Sequence, residues 1–175
     1  MRRFLHALFT LGIASALGAL MVSPAHAATP RICVNPHVAG KGDTGWVCNE
    51  NGQFFYAGTV GENRALEGVT INITGMGGGY CADAHARNLG WIGGADPTKD
   101  QCVGEGQNLF VGTRGQNRPL EALRLRMLSS QYVQGSAHMQ NTGWGGWAEG
   151  RYIEIGSTGE AKNLEAVVFT PKASM

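Results

Sequence analysis

The apolar and polar positions of this chain fall into three rounds of one pattern. The runs "LEGVTINI", "LEALRLRM" and "LEAVVFTP" begin at Leu66, Leu120 and Leu164. In each, apolar side chains alternate with polar ones, as a half-buried strand requires. "LEALRLRM" has helix propensity, but its siblings carry Val, Thr, Ile and Phe at matching positions, so strand is predicted for all three. An aromatic and β-branched run stands upstream of each ("QFFYAG", "QNLFVG", "RYIEIG"), followed by a polar, glycine-containing loop. Farther upstream, "RICVNPHV", "GYCADAHA" and "VQGSAHMQ" read as short strands before a turn containing Gly-Trp. The repeats span about 29–76, 77–130 and 131–175.

Aligned on Gly58, Gly112 and Gly156, the copies agree in detail. A second glycine follows three residues later (Gly61, Gly115, Gly159), and Glu67, Glu121 and Glu165 follow nine residues later. Trp46, Trp91 and Trp144 mark the upstream turn, preceded by His37, His85 and His138. The second copy is longer by the polar stretch "GGADPTKDQ", the composition of a surface loop. One such unit cannot bury its apolar face alone, so three are expected to share a core about a pseudo-threefold axis. The expected fold is all-β, a three-fold pseudosymmetric β-prism-like domain, with a β-trefoil as the alternative. Leu66, Leu120 and Leu164 are expected in the core, with Trp46, Trp91 and Trp144 as its large plugs, since each aromatic removes ~150–250 Å² from water.

Residues 1–27 read as a signal peptide: Arg2 and Arg3, an apolar run, then Ala25-His26-Ala27 before the cleavage point. The mature chain, 28–175, is then a secreted single domain with no membrane span. Net charge is +1 with the leader and about −1 without it. With no basic cluster, nucleic acid is not an expected partner. Four cysteines in an exported chain imply disulfides. Among three possible pairings, repeat symmetry favours Cys33–Cys48 and Cys81–Cys102, with Gln134 and Gly146 in the third copy. A Cys/His metal site is the competing reading; no metal or other cofactor is expected.

The order His, Gly-Trp, aromatic strand, G-T/S-x-G and R/K-x-L-E resembles the ChW repeat, a clostridial hydrophobic repeat with a tryptophan. The stretch 137–169, "AHMQNTGWGGWAEGRYIEIGSTGEAKNLEAVVF", is closest to it and includes Trp147. Asn49 and Val103 are read as standing where Trp147 does. The resemblance implies an exported bacterial protein that binds polysaccharide or a protein at a cell surface, with no established catalytic residues. The glycine loop before L-E-A is also similar to the closing segment of jacalin-like lectin sheets, which form a β-prism and hold sugar with an acid and loop amides.

Candidate ligand residues follow from the repeated loops: Thr59, Asn63 and Glu67; Thr113, Asn117 and Glu121; Ser157 and Glu165; and Trp147 as a stacking face. The dull alternative for the glutamates is that they satisfy loop amides or pair with Arg64, Arg118 or Lys162. The histidines either converge on a metal or serve as hydrogen-bonded structural groups. Asn72-Ile73-Thr74 fits a glycosylation sequon and is taken as incidental. Replicated acids in matching environments do not suit glycoside hydrolysis, which needs two different carboxylates, and no nucleophile, phosphate-loop or zinc-protease motif is present. The expected function is non-enzymatic, lectin-like binding of a polysaccharide or cell-surface glycan. The alternative is an extracellular protein-interaction or surface-structural role, including enzyme inhibition.

Overall fold

The computed structural model describes residues 28–172, so the expected signal peptide and the last three residues lie outside the described residues. The first repeat contributes β1 (Arg31–Val38), β2 (Gly42–Asp43), β3 (Val47–Glu50), β4 (Ala57–Gly58) and β5 (Leu66–Thr74). The second contributes β6 (Gly79–Ala86), β7 (Gly90–Trp91), β8 (Gln101–Gly104), β9 (Asn108–Gly112) and β10 (Leu120–Met127). The third contributes β11 (Tyr132–Met139), β12 (Gly143–Trp144), β13 (Ala148–Gly150), β14 (Tyr152–Gly156) and β15 (Leu164–Lys172). A 3₁₀ turn, Pro97–Lys99, lies in the longer loop of the second repeat.

These strands form three five-stranded antiparallel sheets of identical order. In the first, β1 pairs with β5 on one side and with β2 and β3 on the other. The fourth strand of each repeat does not stay at home. β9 pairs with β5, β14 with β10, and β4 returns to pair with β15. Each sheet is therefore completed by the following repeat, and β4 closes the ring. That exchange is the physical reason for the triplication, because every sheet borrows an edge strand it cannot supply. Three separate sheets give the prism-like arrangement rather than a trefoil.

Alternation works as expected on β1, where Ile32, Val34 and Val38 turn inward and Cys33 and His37 stay half-buried. Leu66, Leu120 and Leu164 are fully buried in one core that draws on all three sheets, with Ile71, Leu125 and Phe169 among its largest members. Tyr80 joins them because its hydroxyl lies within hydrogen-bond reach of the carbonyls of Ile71 (2.7 Å) and Gln107 (2.6 Å), which share its one proton. Burial pushes that phenol well above its ordinary pKa. Disulfides join Cys33 to Cys48 and Cys81 to Cys102, each across directly paired strands.

The tryptophans are not core plugs. Trp46 is 46% exposed and Trp144 43%, while Trp91 is half-buried. Their turns lie on the outside of sheets whose inner faces the Leu, Ile and Val side chains already fill. Nor are the three equivalent. Opposite His37, His85 and His138 stand Asp43, Trp91 and Trp144. Asp43 is thus the counterpart of Trp91 and Trp144, and Trp46 corresponds to Trp147, each nine residues after its histidine. The equal Trp-to-glycine spacing that suggested otherwise comes from a shorter connection after β13. The partner of Gln134 is Glu149, not Gly146, and Asn49 and Val103 correspond to Gly150 rather than to Trp147.

Candidate functional site at the repeat junctions

Each glycine loop docks on the sheet of the preceding repeat, at a β-bulge. The ladder steps from Leu66 to Gly68, from Leu120 to Ala122 and from Leu164 to Ala166, leaving Glu67, Glu121 and Glu165 as the extra residues. The freed carbonyls accept backbone N–H bonds from the next loop: Thr113 to Glu67 (2.7 Å), Ser157 to Glu121 (3.0 Å) and Thr59 to Glu165 (2.9 Å). A Cβ on Gly58, Gly112 or Gly156 would lie 2.3, 2.5 or 2.4 Å from those same carbonyls. The motif glycine is thus explained by close backbone approach.

The loops spend most of the expected ligand groups on themselves. Thr59 and Thr113 are buried, and their hydroxyls face the carbonyls of Arg64 and Glu67. Ser157 Oγ is buried without a partner. Asn63 and Asn117 hold the left-handed backbone conformation (φ 54° and 53°) that Asn tolerates better than most residues, and Ala161 holds it in the third loop. Thr59 and Thr113 are therefore closed to a ligand.

The three glutamates are about 5% exposed, and each faces the histidine of its own sheet. Glu121 and Glu165 each lie 3.1 Å from Nδ1 of His85 and His138, at angles too bent for a directed hydrogen bond. His37 turns instead to Asp43 (2.6 Å) and stays 3.9 Å from Glu67. The histidines do not converge, and among the described residues no cluster is placed to hold a metal.

What separates the junctions is their cover. Glu67 accepts the Gly115 N–H (3.3 Å), and Arg114 lies nearby, bonded to both oxygens of Asp43 (2.8 and 2.6 Å) and stacked 4.3 Å over Phe110. The Arg114 guanidinium, helped by His37, holds the Asp43 carboxyl below its usual range. Glu121 is covered by Arg87 (3.3 Å), which also donates to the Ala161 carbonyl. At the third junction Val60 and Gln140 occupy the places of Arg114 and Arg87. There Glu165 and His138 line an open cleft of about 420 Å³ with Gly61, Asn63, Asn141 and Thr142.

Beside it lies an aromatic cavity of about 240 Å³ between Phe54, Tyr56, Trp144 and Trp147, with Ser136, Gly145 and Val168. Phe54 meets Trp147 edge-on at 5.2 Å, and Tyr56 meets Trp144 at 5.9 Å. Asn49 fixes the segment before β4 that carries Phe54 and Tyr56. Its Oδ1 accepts from the Phe55 N–H (2.7 Å), and its Nδ2 donates to the carbonyls of Phe55 (2.7 Å) and Phe169 (2.9 Å). In the second sheet the matching space is full. Arg124 replaces Val168, Asp83 replaces Ser136 and Asp100 stands in place of Trp147. The Arg124 guanidinium lies 4.2 Å over Trp91 and is bonded to Asp100 (2.5 Å) and Asp83 (3.2 Å). Burial pushes the Asp100 carboxyl up despite that partner.

The structure thus brings together Asn63, Glu165 and Trp147, and adds Phe54, Tyr56, Trp144, His138 and Asn141. Phe54 and Tyr56 were missed as surface residues because they sit in a run that looks like buried strand. The signal for the tryptophans was present: positions six and nine residues after each histidine read Asp-Trp, Trp-Gly and Trp-Trp.

No helix among the described residues is long and apolar enough to cross a membrane. No curated protein and no solved structure matched the chain. The family model described as Clostridial hydrophobic W matches residues 37–75, from His37 through the loop and β5 of the first repeat, rather than the stretch 137–169. With two disulfides, this fits an extracellular or surface-associated protein. Residues 37–75 thus match one Clostridial hydrophobic W repeat, ChW.

Proposed function

We propose that this is a secreted, non-enzymatic module that binds a polysaccharide or cell-surface glycan in the groove where the first repeat closes on the third. One observation carries the reading: at this junction an open cleft lined by amide and hydroxyl groups lies beside an aromatic cavity, with the Glu165 carboxylate in the cleft wall, as buried as its two counterparts. Sugar rings are apolar on their faces and polar at their rims. Tyr56, Trp144 and Trp147 offer surfaces for the faces, while Glu165, Asn63, Asn141 and Thr142 offer partners for hydroxyls. Glu165 is the sole acid lining either cleft, which leaves hydrolysis without its second carboxylate. The reading uses no cofactor, and it assigns one working site where the sequence suggested as many as three.

A glycan array with polysaccharide pull-down tests it. Trp144→Ala and Glu165→Gln should each lose most binding, and Trp46→Ala should keep it. Silence of the folded wild-type protein across broad glycan sets ends the reading. A protein partner is the second reading, favoured by Phe55. At 61% exposure it is the most exposed large apolar residue among the described residues and lies outside both clefts. Retained glycan binding in Phe55→Ala, with loss of a captured surface protein, would support that contact.

A further inference from the structure

Two of the three sheets hold a cation of the chain's own against an aromatic ring beside the turn. Arg114 lies over Phe110 and is tied to Asp43; Arg124 lies over Trp91 and is tied to Asp83 and Asp100. The third sheet keeps the rings and lacks the cation. Trp144 takes the place of Trp91 and Tyr56 that of Phe110, while Val168, too short to fill the space, takes that of Arg124. Phe54 and Trp147 complete four aromatic walls around about 240 Å³.

The chemistry of the missing occupant can be read from what else has changed. Ring faces carry negative quadrupole charge and attract cations, the more so when the site is partly desolvated. The carboxylates that bond the internal guanidinium are replaced by Ser136 and Trp147, and Ser136 Oγ already donates to the Gly145 carbonyl (3.0 Å). A guanidinium or primary ammonium entering here would leave N–H donors unpaired, at a cost. A quaternary ammonium has no N–H to satisfy, and its methyl groups suit an apolar box.

We infer that the cavity between Phe54, Tyr56, Trp144 and Trp147 binds a quaternary ammonium group of the choline type, doing from outside what Arg124 does from within. Its carrier is a substituted surface polysaccharide, because the cage opens beside the polar cleft of Asn63, Asn141 and Glu165; this part alone rests on the carbohydrate reading.

The test titrates the full chain with choline and with dimethylbutanol, its uncharged carbon isostere, using calorimetry and tryptophan fluorescence. Choline should bind saturably at one site, with the isostere about tenfold weaker or worse, the size of a partly desolvated cation–π contact. Trp147→Ala and Tyr56→Ala, both exposed positions, should weaken choline binding about tenfold. Val168→Arg should abolish it by supplying the internal cation, and Trp46→Ala should leave it unchanged. Equal affinity for the isostere, or no saturation of the folded protein at millimolar choline, overturns the cage. Choline binding with no affinity for any unsubstituted glycan overturns the sugar reading and leaves the cage standing. Binding to phosphatidylcholine vesicles but not to a choline-substituted polysaccharide overturns the assigned carrier.

Discussion

The second and third sheets set the same turn on the same scaffold and use it in opposite ways. In the second, Trp91 is the lid on a buried Arg124 held by Asp83 and Asp100. In the third, Trp144 is one wall of an open cavity, and Val168, Ser136 and Trp147 replace the ion cluster. The scaffold tolerates both because the core below does not depend on the turn; its weight is carried by residues such as Leu66, Leu120 and Leu164. Repetition therefore fixes the fold while leaving each junction free to be filled or left open.

The sharpest way to break the comparison is to open the filled cleft. Arg124→Val strands two buried carboxylates and should cost about 3–5 kcal/mol in denaturant unfolding. Adding Asp83→Ser and Asp100→Asn removes the stranded charges and should recover much of that loss. If Arg124→Val alone is neutral, the cluster is not the plug described above.

Next comes the docking that joins the repeats. Gly112→Ala would place a methyl against the Glu67 carbonyl at a φ of +112° and should cost at least about 3 kcal/mol, combining backbone strain with a displaced strand. Gly61→Ala shares a positive φ but meets open space, so about 1 kcal/mol is expected. Similar losses at both positions would mean that close approach to the bulge is not what selects the motif glycine.

Much of this was legible in the chain. Alternation after each L-E pair gave the long strands, and cysteine spacing gave both disulfides, since those signals are local or repeat exactly in register. The exchange of β4, β9 and β14 between sheets was not legible. Nothing within one repeat says whether its fourth strand pairs with its own fifth strand or with its neighbour's, because β5, β10 and β15 repeat one pattern and offer equivalent backbone edges. The tryptophans misled for a different reason. Size suggested burial, and aligning by residue type instead of by distance from the histidine put Trp46 with Trp144 and hid Asp43 as the odd member.

The disulfides extend the comparison, since the third sheet has Gln134 opposite Glu149 where the others have cystine. Removing Cys81–Cys102 by double substitution to Ser should cost about 3 kcal/mol by loop-closure entropy, read as a lower denaturation midpoint. The aromatic cavity lies on the third sheet, so its choline affinity should not change. A loss there would mean that the three sheets are coupled more tightly than their separate clefts imply.

The smallest effect concerns the first junction, filled by the Asp43–Arg114 pair. The folded pKa of Asp43 lies below its ordinary 3.8, through the hydrogen bond from Arg114 first and that from His37 second. A carboxyl with a lowered folded pKa contributes stability that is present above the unfolded value and is lost as pH falls through the folded one. Asp43→Asn should therefore destabilise at neutral pH and converge with wild type in strong acid. The pair is more than a third exposed, so solvent screening holds the difference under about 1 kcal/mol, and high salt should shrink it further. A gap that widens as pH falls below 3.8 would reverse the sign and remove Arg114 as the group that keeps this cleft closed.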